Sequence, residues 1–251
     1  MTYVYLTQLA DEYRAAGLKV VEIDGWKSRG RPASTGGFNP VGSLFHHTGD
    51  KADGKAYAEW LATVGRSDLP APLCQKSIGR DGTVYICAAG RANHAGVAKA
   101  VGSVAGGDGN ELYVGTEVQN TGTEGYPKAQ YDAMVTVAAV DISRITHTSV
   151  RTVAAHYETS TEGKWDPGMP KAKGGVAHNG AWVLNMETFR ADVAARAKDL
   201  AQSGRKKAPA PAKPVYAPRV QAELDGAQKI QQPRRRKSLI AAIKSIFRGG
   251  K

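Results

Sequence analysis

The chain has 251 residues, 41% of them hydrophobic, which suffices for one domain of roughly 150 to 200 residues with its own core plus an appendage. No uninterrupted apolar stretch approaches the roughly 18 residues of a membrane span, and the opening MTYVYLTQLADEYRAAG lacks the basic start and apolar run of a secretory signal. The expectation is therefore a soluble protein made in the cytoplasm. The net charge of +11 is confined to residues 205–251, where thirteen Lys/Arg face only Glu223 and Asp225, so the first 204 residues are neutral overall.

In chain order, apolar residues at Leu6, Leu9, Ala10, Tyr13 and Leu18 predict a helix within Leu6 to Val21, with Gly17 as its stop. SRGRPASTGGFNPVG reads as a loop feeding the apolar run Ser43-Leu44-Phe45, a short buried strand that should end near His46. KSIGRDGTVYICAAG alternates apolar and polar residues on both sides of Asp81-Gly82, which predicts an antiparallel hairpin. ELYVGTEVQN is a further β-rich run, AQYDAMVTVAAVDISRIT has helical spacing, and Val150 to Ala155 leads into His156. MET followed by FRADVAARAKDLAQ supplies the closing helix. Strands interleaved with helices predict an α/β domain, a mixed central β-sheet flanked by helices, followed by a flexible basic C-terminal tail. Cys74 and Cys87 lie in no CxxC or ligand cluster and read as small buried apolar side chains.

Six histidines occur, at 46, 47, 94, 147, 156 and 178, and any one of them alone is more often structural than catalytic. His46 ends a strand-like run, His156 ends another some 110 residues later, and Asp166 follows ten residues on within Lys164-Trp165-Asp166-Pro167-Gly168. Two imidazoles and a carboxylate suit a catalytic Zn2+ whose fourth position is open to water. Such an ion lowers the pKa of its water to about 7 and polarises a carbonyl, the requirements for hydrolysing an amide or ester. Spacing alone leaves chance assembly of three such residues open.

Four ordered segments narrow the choice: LFHHTGD, GRDGTVYICAAGRANHAG, VGTEVQNTG and AAHYETSTEGKWDPG. Together they resemble the zinc-dependent N-acetylmuramoyl-L-alanine amidases, a family of phage endolysins, bacterial muropeptide-recycling amidases and animal peptidoglycan recognition proteins. The resemblance runs from about residue 40 to 200, and residues 5 to 40 also resemble actinobacterial-phage members. It implies the family's amidase-2 fold and a Zn2+ held by His46, His156 and Asp166. It further implies that Glu117 is the general base, that Lys164 stabilises the oxyanion, and that Asn93 and His94 line the substrate groove. At the position where some phage members carry a catalytic tyrosine, this chain has Cys74, so Tyr85, Tyr113 and Tyr157 are expected to pack or to line cleft walls.

With the shift to Pro, Ala and Lys from about Ser203, the chain divides into the zinc amidase domain that the resemblance implies at 1–203, a Pro/Lys/Arg-rich linker at 204–237 and a basic amphipathic helix candidate at 238–251. In the last segment Leu239, Ile240, Ile243, Ile246 and Phe247 recur at helical spacing among Lys237, Lys244 and Arg248. Each Lys/Arg near an anionic surface contributes about 1 kcal/mol, so an anionic cell-wall polymer or membrane surface is the expected partner of the tail. Without aromatics interleaved for base stacking, no nucleic acid is expected. The chain should be a monomeric peptidoglycan hydrolase, an endolysin held in the host cytoplasm until release to the wall. The alternatives are a peptidoglycan-binding module without catalysis and a cytoplasmic recycling amidase.

Overall fold

Six short runs of β-forming residues build the sheet that organises the protein, whose computed structural model describes residues 2–207. They are β1 (Val20–Glu22), β2 (Gly42–His47), β3 (Lys76–Ile78), β4 (Val84–Ile86), β5 (Tyr113–Val118) and β6 (Val153–Ala155). Their spatial order is β1-β4-β3-β5-β2-β6. Every neighbouring pair is parallel except β3 and β4, which form the hairpin across Asp81-Gly82. Gly82 has φ +80°, and the Asp81 side chain accepts from the Thr83 N–H at 2.8 Å, so the turn uses both residues for the reasons that make them turn formers. One antiparallel pair makes the sheet mixed.

Because side chains alternate along a strand, register assigns each residue a face. Phe45 pairs with Thr116 and Ile78 with Val118, and their face is covered by α1 (Leu9–Ala15), α3 (Lys128–Val140) and the closing α4 (Met186–Lys207). The Phe45 and Phe189 rings meet edge to face at 5.2 Å. Within this layer Lys76 of β3 lies 2.8 Å from Asp141, just past α3, and both are fully buried. Tyr13 of α1 and Ser43 of β2 donate to the same carboxylate, which ties two strands to two helices. On the opposite face α2 (Lys55–Thr63) sets Ala58, Leu61 and Ala62 against Tyr85, Cys74 and Cys87, both cysteines being buried and free.

The opening helix is shorter than its apolar spacing suggests. It ends at Ala15, Gly17 takes φ +90°, and Val20–Glu22 becomes the edge strand β1. At the other end the closing helix runs to Lys207, four residues into the expected linker. The compact unit spans Met1–Arg205; the rest of the linker and the amphipathic segment 238–251 lie outside the described residues.

Candidate active site

The C-terminal ends of parallel strands are where α/β sheets place their binding clefts, since the chain turns away there and leaves strand-end side chains uncovered. His46 is the penultimate residue of β2 and sits in register with Glu117 of β5. His156 begins the helical turn His156–Thr159 directly after β6. Asp166 arrives on the loop that follows. That loop is fastened by the Tyr157 N–H, which donates to the Asp166 carbonyl at 2.8 Å, and by the Gly168 N–H, which donates to His47 Nδ1 at 2.8 Å.

These elements bring three donor atoms to one point. Asp166 Oδ2 lies 3.1 Å from His46 Nδ1 and 3.0 Å from His156 Nδ1, and the three ligand atoms lie within 4.8 Å of one another. Burial, and behind it the neighbouring His156, pushes the His46 imidazole down to about 4, so the ring is neutral at pH 7 as a metal ligand must be. Burial by itself would raise the Asp166 carboxyl, but hydrogen bonds from His156 and His46 overcome it and hold the group ionised, well below the usual range. Glu117 is pushed well above its ordinary value, first by burial and then by the Asp166 charge. Its Oε2 is shut from solvent and has no hydrogen-bond partner among the described residues. Two imidazole nitrogens and an ionised carboxylate, with the buried Glu117 oxygen beside them, fit a catalytic zinc ion with its water.

The cleft around this point has a volume of about 390 Å³. His46, His156 and Asp166 line it together with Glu117, Lys164, Asn93 and His94, so all seven residues singled out in the sequence face one space. Lys164 keeps 46% of its side chain exposed, and its Nζ is 3.7 Å from Glu162. Asn93 braces the wall, its side chain donating to the Pro70 carbonyl at 2.7 Å. Of the three tyrosines set aside as packing, Tyr85 and Tyr113 are buried, and Tyr157 donates to the Leu184 carbonyl. A different tyrosine reaches the cleft: Tyr57 of α2 lines it, stacked on Trp60 with centroids 5.7 Å apart, and Arg66 lines it beyond α2. Their one sequence signal is the three-residue spacing of Tyr57 and Trp60, which puts both rings on one face of a helix.

A family model described as N-acetylmuramoyl-L-alanine amidase matches residues 38–169, just over half of the chain. No curated protein sequence matches. Among solved structures the chain is similar to an AmpD derivative, at 23% identity over 70% of this chain and 93% of that one, with a TM-score of 0.47. It is also similar to the N-acetylmuramoyl-L-alanine amidase LysC from Clostridium intestinale, at 17% identity over 61% and 93% of the two chains and a TM-score of 0.44. A third similarity is to PlyL, at 13% identity over 70% and 96% and a TM-score of 0.49.

Proposed function

The chain belongs to the N-acetylmuramoyl-L-alanine amidase family, and on that premise we propose that it is a zinc-dependent peptidoglycan hydrolase. The bond it cuts is the amide joining the lactyl group of N-acetylmuramic acid to the L-alanine of the stem peptide. The observation that carries this reading is the convergence of His46, His156 and Asp166 in the cleft, their ligand atoms within 4.8 Å of one another and Asp166 Oδ2 lying 3.1 Å from His46 Nδ1 and 3.0 Å from His156 Nδ1. Those three atoms would hold the ion, which when bound polarises the scissile carbonyl and brings the pKa of the attacking water to about 7.

The remaining work falls to the chain's own side chains. Glu117, with its unpartnered oxygen, accepts the proton of the attacking water and passes it to the departing amine. Lys164 brings its ammonium to the carbonyl oxygen as negative charge develops there. The stem peptide leaves with a free L-alanine amine, and the glycan keeps the lactyl carboxylate. Asn93, His94, Tyr57 and Trp60 line the space for glycan and peptide.

The biological setting that suits this activity is host lysis by a phage endolysin, held in the host cytoplasm until the wall becomes accessible. Support comes from the likeness of residues 5 to 40 to actinobacterial-phage members and from the cationic residues 205–251. Those charges suit a polyanionic wall or membrane and offer no evident benefit to an enzyme of soluble muropeptides. Elemental analysis of the purified protein tests the metal assignment. One zinc per chain is expected in the wild type, with both zinc and wall digestion lost in His46→Ala and Asp166→Ala. Stoichiometric zinc and undiminished digestion in either variant would contradict it.

A further inference from the structure

His94 does more than line the cleft. Its Nδ1 lies 3.1 Å from His46 Nε2, the two rings standing nearly perpendicular at 81°. This contact is on the far edge of the His46 ring from Nδ1, the atom that faces Asp166. His94 is therefore placed behind a ligand and is no member of the three-residue donor cluster.

The sequence spends several groups on holding it there. The backbone N–H groups of His94 and Ala95 both donate to Asn110 Oδ1, each at 2.8 Å, and the Asn110 N–H donates to Asp108 Oδ1 at 3.0 Å. Beneath the ring lies Gly115 of β5, where an added Cβ would stand 2.7 Å from two His94 ring carbons. Glycine weakens a strand interior, and its use here is explained by the close approach of that ring.

A contact between two imidazoles can run in either direction, and that freedom is what the site needs. An ionised Asp166 can only accept, so with no ion between them the His46 Nδ1 that faces it at 3.1 Å would carry the proton, leaving Nε2 with a lone pair that requires a donor. When His46 Nδ1 binds an ion, that nitrogen gives up its proton and Nε2 must carry one, so Nε2 requires an acceptor. A carbonyl or carboxylate behind Nε2 would serve only the second state. We propose that His94 is the positioning residue that serves both, donating Nδ1–H to His46 Nε2 in the metal-free protein and accepting from Nε2–H once zinc is held.

The protons balance. The His46 Nδ1 proton leaves to solvent, the His94 Nδ1 proton passes along the hydrogen bond to His46 Nε2, and His94 Nε2, which is buried without a partner among the described residues, takes up a proton from solvent in exchange. Both rings stay neutral, and loading releases no net proton from the pair. The inference rests on the zinc-amidase reading above, and its test separates the two.

Long-range proton–nitrogen correlation spectra of the histidine rings, with and without one equivalent of zinc, read the tautomers directly in the full-length protein. His46 is expected to be protonated on Nδ1 without zinc and on Nε2 with it, His94 switching from Nδ1 to Nε2 in step. Zinc affinity measured by competition with a chromophoric chelator is expected to fall roughly 10- to 100-fold in His94→Phe, the range for losing an outer partner of a ligand. It should return to within a few-fold of wild type in His94→Asn, whose amide can present either an acceptor or a donor near the Nδ1 position. An unchanged His94 tautomer on loading, wild-type affinity in His94→Phe, or equal loss in both variants with far-UV dichroism intact would each overturn the proposal. The wild-type spectra decide even if a variant fails to fold. Failure of the wild type to bind zinc at all would instead overturn the metal assignment, and this role with it.

Discussion

Glu117 shows how position outweighs residue type. An exposed strand glutamate titrates near 4.3 and makes a weak base, whereas this one is desolvated beside the Asp166 charge with one oxygen unpartnered. Removing only its ionisable character should lower turnover while leaving the ligands in place. Glu117→Gln is expected to reduce kcat on purified walls by about 10² to 10⁴-fold with zinc content unchanged, a split that elemental analysis and initial rates resolve. Loss of zinc along with activity would place Glu117 among the ligands instead. The residues in this cleft that stood out in the sequence did so as parts of ordered motifs. His46, His156 and Asp166 are scattered over 120 positions and gain meaning only from segments that resemble a family. Tyr57 and Trp60 escaped because aromatic spacing at i, i+3 looks the same in a core helix as in a cleft wall. The link from His94 to His46 joins positions 48 apart, and such a tertiary contact has no local sequence signal.

At the level of elements, the sheet was legible where periodicity was strong. The Asp81-Gly82 hairpin, β2, β5, α3 and the closing helix all follow apolar spacing and turn chemistry. β1 was not legible, because three residues are too few for alternation to register. α2 begins at Lys55, after Gly54 at the N-cap, with no side-chain cap and no acidic first turn, so nothing announces its start. The Lys76–Asp141 pair is equally silent in the sequence, yet it joins β3 to the end of α3 inside the core. A buried ion pair is costly to break from one side because the survivor keeps its charge without a partner. Asp141→Ala is expected to destabilise the protein by about 3–5 kcal/mol, read from the denaturant midpoint, and Lys76→Met combined with Asp141→Leu should recover only the part due to the stranded Lys76 charge, since Tyr13 and Ser43 still lose their acceptor. Equal destabilisation by the single and double variants would show that the charge is not what holds these elements together.

Over the whole molecule, chemistry and charge occupy different parts of the chain. Residues 1–204 are neutral overall and contain every cleft residue, whereas residues 208–251 carry ten Lys/Arg against two acidic residues, a net +8. If those charges serve delivery, ending the chain after Lys207 should leave hydrolysis of soluble muropeptides and the melting temperature nearly unchanged. It should also weaken binding to intact walls or anionic vesicles at low salt, with the difference shrinking as salt is raised, since screening falls on exposed charges first. Salt-insensitive binding that survives truncation would assign wall attachment to the cleft domain.

The central claim, a zinc-dependent cut between N-acetylmuramic acid and L-alanine, is tested most directly by mass analysis of purified walls digested with metal-stripped protein, before and after zinc is restored. The expected result is new stem peptides beginning with a free L-alanine amine, no new reducing sugar ends, and product only when zinc is present. New reducing ends, cleavage within the stem peptide, or equal product without zinc would contradict it.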